Sequence, residues 1–441
     1  MKKFHNFKLI CLLSFLTITL VFIGINFAHA QNGKGKPPKP EPEEPALVLK
    51  TKNIISVSRG NEAEFKVWGN VSENDYKQIW SYEISHSAVA IGDVDNDPTT
   101  REIVAPHGVK ITEGKGKNAF SYNRIFLHVY KEGEKGCWRS TYAIENGSVT
   151  QSSTMALYDI TIADVDGSPG NEIIIISTEW LLIYQYNSSL DHFQIIGSIH
   201  KSGLESGLFP DSDRILKFEC VAAEDIGSDL KSEIILSANV LDENGWVDNL
   251  GYLLTFGYSD LSNPNITEVD AKFSFESLCT ADVNGDGLYE ICSPVDRKES
   301  DGLFYGYIYV WDNTLYRIAK IDTGSSYTSP NSLNMDVGNV DDGAPGDEMV
   351  FTTKFPEKKI VVYNLNVGLR DFLVLQDDIS IFELNVADSD NDKKEEIIGT
   401  GSVGRRSLLY HVVFGTGFQK EWEYIGDTPD EGIHIWDVTV G

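Results

Sequence analysis

Four oxygen-bearing side chains stand around one tight glycine turn: Asp282, Asn284 and Asp286 at alternate positions, with Glu290 closing the set. The run reads Asp-x-Asn-x-Asp-Gly-x-x-Glu. A hard cation such as Ca²⁺ takes about six to eight oxygen ligands, and alternate residues of a tight loop can turn that many inward. Carboxylates held this close repel one another, so a bound cation is expected to stabilise the fold. The competing explanation involves no metal, because Asp, Asn and Gly favour polar turns for backbone reasons alone. Repetition decides between the two.

Five more turns of this kind lie along the chain, making six in all. The sixth repeats the full set in Asp388, Asp390, Asp392 and Glu396. The second keeps Asp164, Asp166 and Glu172, with Ser168 as a weaker donor. The first has Asp93, Asp95 and Asp97, but Pro98 stands where the turn glycine belongs and Glu102 comes one residue late. The fifth opens on Asn339 and keeps Asp341, with Glu348 again late. The third has Gly227 at a ligand position, which leaves Asp225, Asp229 and Glu233. Successive turns start 71, 61, 57, 57 and 49 residues apart, each flanked by apolar runs. Chance does not produce six aligned matches. Turns four and six are expected to hold Ca²⁺ most tightly, turns one, two and five less tightly, and turn three weakly or not at all.

No other chemistry announces itself. The chain lacks a Gly-x-Ser-x-Gly elbow, a His-Glu-x-x-His helix, a phosphate loop and a Cys-x-x-Cys pair. Its nine histidines are scattered, and carboxylates are too abundant for a glycosidase-like pair to stand out. The formal charge of −29 argues against nucleic acid or anionic membranes as partners.

The elements that carry the turns are short strands. From Ala46 onward, β-branched and aromatic runs alternate with Gly/Asn/Asp/Ser turns, and helical periodicity is nearly absent. Each repeat reads as a four-stranded antiparallel meander, the size of a propeller blade. One such sheet cannot cover both its faces, whereas blades packed around an axis can. The last residues, 435–441, match 157–163, the first strand of a blade. The segments 54–58, 64–69 and 77–84 supply the strands that such a blade lacks. The expected fold is therefore all-β, a seven-bladed β-propeller whose last blade is closed by N- and C-terminal strands. A fragment of a longer chain is the alternative.

Residues 1–30 read as an export signal, with Lys2, Lys3 and Lys8, an apolar stretch and Ala28-His29-Ala30. An uncleaved membrane anchor is the alternative. Cleavage removes three lysines and no acid, taking the formal charge from −29 to −32. Residues 31–45 are a Pro/Lys/Glu-rich linker, and 46–441 form the propeller. Cys137, Cys220, Cys279 and Cys292 remain. Cys279 and Cys292 flank one hairpin, as a disulfide or as buried thiols. Asn70, Asn146, Asn187 and Asn265 begin glycosylation sequons.

Repeats of the Asp-x-Asp/Asn-x-Asp-Gly-x-x-Glu-Ile-Val type, roughly 60 residues apart, resemble the FG-GAP/VCBS repeats of integrin-α-like propellers. The resemblance covers about residues 64–441 and implies a calcium-stabilised propeller, secreted or at the cell surface. It is specific for fold and calcium and less so for role; the expected role is recognition or adhesion toward an extracellular glycan or protein, by a monomer. A polysaccharide lyase is the alternative, using basic residues such as Lys110, Lys115, Lys117 and Arg124. In a meander the acidic turns share one face. The stretches 106–123, 239–249 and 295–304 read as variable loops on the other, carrying His107, Phe120, Tyr122, Trp246 and Phe304.

Overall fold

Every acidic turn joins two neighbouring strands of one sheet, and the computed structural model arranges seven such antiparallel sheets in a ring. The structure describes residues 53–440 apart from 60–64, 73–74, 83–87, 114–119, 132–156, 178, 191, 210–213, 228, 242–246, 274–276, 328–332, 342, 355–356, 377, 390–391, 404–405, 415–416 and 426–433. The expected signal and linker lie outside these residues. So do Cys137, Asn146, Trp246 and Asp390.

Blade one comprises Ala90–Gly92, Glu102–Glu113 and Phe120–Lys131, three strands among the described residues. Blade two runs Leu157–Ala163, Glu172–Ser177, Trp180–Asn187 and His192–His200. Blade three runs Ile215–Glu224, Glu233–Leu241, Val247–Phe256 and Asn265–Val269. In blade four the inner strand is split into Lys272–Phe273 and Cys279–Ala281, both paired to Glu290–Lys298, followed by Phe304–Trp311 and Arg317–Tyr327. Blade five holds Met335–Gly338, Glu348–Thr353, Lys359–Asn364 and Gly368–Val374. Blade six holds Ile379–Ala387, Glu396–Val403, Arg406–Phe414 and Phe418–Ile425. Blade seven is composite: His434–Val440 pairs with Ile54–Arg59, which leads to Phe65–Ser72 and Asp75–Tyr82. The expected closure is observed, with Ile54 opposite Val440.

The core lies between blades. Glu172–Ser177 is buried along its whole length because both its faces are covered. Ile174 and Ile176 pack with Leu216, Phe218 and Leu236 of blade three, whereas Ile173 and Ile175 pack with Val104 and Val129 of blade one. A strand covered on both faces has no need of a polar face, which is why Ile173–Ile176 is an unbroken apolar run.

Inner strands of adjacent blades touch in sequence around the ring, from Ala90–Gly92 to His434–Val440 and back. They share no ladder, so their inter-blade N–H groups need side-chain acceptors. Val221 N–H donates to Asp159 Oδ2 (2.9 Å), Ser277 N–H to Cys220 Sγ (3.3 Å), Met335 N–H to Ser277 Oγ (3.1 Å) and Val386 N–H to Asp336 Oδ2 (2.7 Å). These strands line a central channel of about 290 Å³.

Two expectations change, and the open question of the cysteine pair is answered. The stretches read as long variable loops are largely strand. Pro106 pairs with Leu127 and Glu113 with Phe120, Leu241 pairs with Val247, and Lys298 pairs with Phe304. In blade one, β-branched and aromatic residues such as Val109, Ile111, Phe120 and Tyr122 favour the extended ladder. An eight-residue helix, Lys201–Leu208, links blades two and three and is capped by the His200 side chain. Cys279 and Cys292 do sit opposite each other, and both are free thiols. Among the described residues no helix is long and apolar enough to cross a membrane.

Candidate metal centres

Each acidic turn is tied at its neck by a glutamate at the first position of the second strand. Glu102, Glu172, Glu290, Glu348 and Glu396 are all at most 2% exposed, and Glu233 is half-buried. Each accepts a backbone N–H from near the start of its turn. Val94 donates to Glu102 (3.1 Å), Val165 to Glu172 (3.0 Å), Gly227 to Glu233 (3.0 Å), Asn284 to Glu290 (3.3 Å), Asp341 to Glu348 (3.0 Å) and Ser389 to Glu396 (2.7 Å). Burial pushes the Glu172 carboxyl up to about 7, with the Asp166 charge adding to the rise. Burial likewise raises Glu290 to about 7, with Asp286 and Asp282 adding their charge. A buried carboxylate among carboxylates is satisfied by a proton or by a cation.

Among the described residues, two turns gather their carboxylates into triads. Asp93, Asp95 and Glu102 bring ligand oxygens within 4.8 Å of one another, and so do Asp164, Asp166 and Glu172. In the first, Asp97 N–H donates to both Asp93 Oδ1 (3.0 Å) and Asp95 Oδ1 (3.1 Å). Asn96 takes the left-handed conformation there (φ 63°), the step that Gly167 and Gly285 fill in turns two and four (φ 75° and 76°). In the second, Gly167 N–H donates to Asp164 Oδ1 and Ser168 N–H to Asp166 Oδ1, both at 2.7 Å. An all-oxygen donor set rich in carboxylates suits a hard divalent cation.

Sequence reasoning missed Gln185. Its Nε2 donates to Asp166 Oδ2 (2.8 Å), Ser168 Oγ (2.8 Å) and Glu172 Oε1 (3.1 Å). It reaches turn two from the third strand, where its neighbour Tyr184 pairs with Ile173, the residue after Glu172. Asn364 is placed likewise in blade five, opposite Glu348, and donates to Glu348 Oε1 (3.0 Å). The available signal was an amide at the third-strand position facing the glutamate.

The other turns are held differently. In turn four, Asp282 accepts from the N–H groups of Gly285, Asp286 and Gly287, while Asn284 Nδ2 donates to Asp286 (3.1 Å) and Glu290 (2.7 Å). In turn three, Asp225 accepts from Asp229 and Leu230 N–H, and Asp229 from Lys231 N–H. In turn five, Asn339 N–H donates to Glu395, and Arg370 is paired with Asp341. In turn six, Asp388 accepts from Lys393 N–H and Asp392 from Lys394 N–H. Ser389 Oγ donates to Glu396 (2.7 Å) and stands 2.8 Å from His411 Nε2. This Ser–His pair looks like a nucleophile and its base, but both residues are 0% exposed, so it is a packing feature.

Adjacent turns also brace each other. Asn171 N–H donates to the Asp93 carbonyl (3.0 Å), Ser232 N–H to that of Asp164 (2.9 Å) and Asp347 N–H to that of Asp282 (2.9 Å). A Cβ on Gly346 would stand 2.7 Å from Gly285 N. No larger residue fits that approach.

No protein-family model matches the chain, and no curated protein matches it. Among solved structures it is similar to BBS1N in complex with ARL6DN, at 9% identity and TM-score 0.45, over 89% of this chain and 94% of that one. The Dos1 propeller is similar at 12% identity and TM-score 0.42, over 85% of each. A rhamnogalacturonan lyase from Bacillus licheniformis is similar at 14% identity and TM-score 0.33, over 86% of this chain and 76% of that one. At these values none of their activities passes to this chain.

Proposed function

We propose that this is an FG-GAP/VCBS-type, Ca²⁺-stabilised propeller that works outside the cell as a recognition or adhesion module for a glycan or protein. The observation that carries the cation reading is the pair of carboxylate triads, Asp93/Asp95/Glu102 and Asp164/Asp166/Glu172, on aligned turns of adjacent blades. When bound, the cation supplies charge neutralisation and a fixed turn geometry. The chain's own part is to hold the oxygens close, with the necks tied by Val94 and Val165 N–H.

Recognition is assigned to the face opposite the acidic turns. Blade one extends there as a hairpin of two twelve-residue strands, against six residues for Glu172–Ser177. The side chains of His107, Lys110, Phe120, Tyr122 and Arg124 on it lie outside the described residues.

The test is a glycan array and cell-surface pull-down with the purified protein, in Ca²⁺ and in EDTA, alongside calorimetric Ca²⁺ titration. Calcium-dependent retention of a glycan or protein is expected. Release of unsaturated products from uronate polymers would replace recognition by a lyase activity, and the absence of any Ca²⁺ heat would remove the cation reading.

A further inference from the structure

We infer that turn five needs no metal, because Arg370 serves as its resident cation. This rests on the proposed cation role of the acidic turns and assigns one of them a different chemistry. Arg370 lies on the outer strand Gly368–Val374 of blade five, outside the acidic motif. The turn before it folds back, as Asn366 and Val367 N–H donate to Asn364 Oδ1 at 3.0 and 3.1 Å. The guanidinium is thereby brought onto Asp341, where Nε and Nη2 both bond to Oδ2, the Nε contact at 2.8 Å. Asp341 is only 13% exposed at this pair, and Arg370 29%.

The other carboxylate oxygens of Asp341 and Glu348 have donors within the same blade. Asp341 Oδ1 accepts from Gly343 N–H (3.0 Å). Glu348 Oε2 accepts from Asp341 N–H (3.0 Å), and Glu348 Oε1 accepts from Asn364 Nδ2 (3.0 Å). The first position is Asn339, which brings no charge. Turns one and two differ in kind, since their carboxylates converge on one another. A guanidinium is permanently charged and its planar donors match a carboxylate, so it can stand in for a metal where only charge and donors are required. The geometry also explains why a fixed cation is useful here. Blade five supports turn four through Asp347 N–H of turn five on the Asp282 carbonyl (2.9 Å) and, from the turn before Arg370, Asn366 Nδ2 on the Asn284 carbonyl (2.9 Å). It can do so whether or not calcium is present.

The experiment counts Ca²⁺ equivalents on the full chain by calorimetry and equilibrium dialysis, with melts in EDTA and in Ca²⁺. Arg370→Gln is expected to gain one equivalent over wild type and to melt lower in EDTA, with Ca²⁺ restoring the loss. Arg370→Lys, which keeps the charge, is expected to gain none. Asp341→Asn in the wild-type background is expected to leave the count unchanged. An unchanged count in Arg370→Gln overturns the inference, as does loss of one equivalent in Asp341→Asn. Should Arg370→Gln fail to fold, the Asp341→Asn count still decides. A wild-type count of zero sinks the calcium reading of turns one and two instead, and leaves the gain in Arg370→Gln as a separate outcome.

Discussion

Glu172 does two jobs with one carboxylate, and they respond differently to substitution. Oε2 accepts the Val165 N–H and Oε1 receives the Gln185 amide. Glu172→Gln keeps an acceptor and loses the charge, so calorimetry is expected to show at least a tenfold weaker Ca²⁺ affinity with little loss of stability in EDTA. Glu172→Ala leaves the buried Val165 N–H without its acceptor and is expected to cost about 1–3 kcal/mol in urea unfolding even without calcium. Under the proposed cation role, a proton and a metal ion would compete for the same oxygens. With the folded-state value near 7 against 4.5 unfolded, Glu172 favours the cation-free fold below pH 4.5, and this contribution is lost as pH rises through 7. Glu290 follows the same sign. The melting difference between Ca²⁺ and EDTA is therefore expected to be larger at pH 8 than at pH 5.5; an equal difference would mean that these glutamates do not meet the ion.

At the scale of strands and turns, the molecule separates what is written locally from what is not. The turn residues repeat in the sequence because each turn closes within a few positions, and Asn96 shows that the backbone requirement is a left-handed step, which Asn meets as well as Gly. The second strands were legible as apolar runs, since burial between two blades removes any polar alternation. Gln185 and Arg370 were not legible as site residues. They reach the turns from the third and fourth strands, and only the register brings them there. The same limit applies to the supposed loops of blades one, three and four, where strand length depends on a partner that no single segment reveals. Ile175 is fully buried on such a doubly covered strand. Ile175→Ala is expected to cost about 2–5 kcal/mol by chemical denaturation, while Val374→Ala on the exposed outer strand is expected to stay within about 0.5 kcal/mol. Equal costs would contradict a core seated between blades.

For the whole molecule, stability is a property of the closed ring. Each blade is covered by its neighbours, so an open ring exposes two apolar faces at once. Ending the chain before His434 removes the inner strand of blade seven and leaves Ile54–Arg59 as an edge. That truncation is expected to abolish the single cooperative melt seen by calorimetry and to promote association in light scattering. Addition of a peptide spanning 434–441 is expected to restore part of the transition. A truncated chain that melts as the full one does would show that the blades do not depend on closure.

The pairing that completes the ring also decides how it bears load. Ile54 begins one strand and Val440 ends the other, and the two lie opposite each other at the same end of an antiparallel ladder. Tension applied through the chain before residue 54 and after residue 440 would open this ladder one rung at a time, like a zip, without loading all its bonds together in shear. The joint that makes the molecule continuous is thus also its mechanically softest seam under a pull on both ends. When force enters instead through a handle attached to the opposite face and leaves by the N-terminal side alone, Ile54–Arg59 is drawn against both of its neighbours, His434–Val440 and Phe65–Ser72. Forced unfolding follows the barrier along the pulling direction and not the equilibrium stability. Pulling from one end and pulling from both should therefore give two different rupture strengths for the same fold.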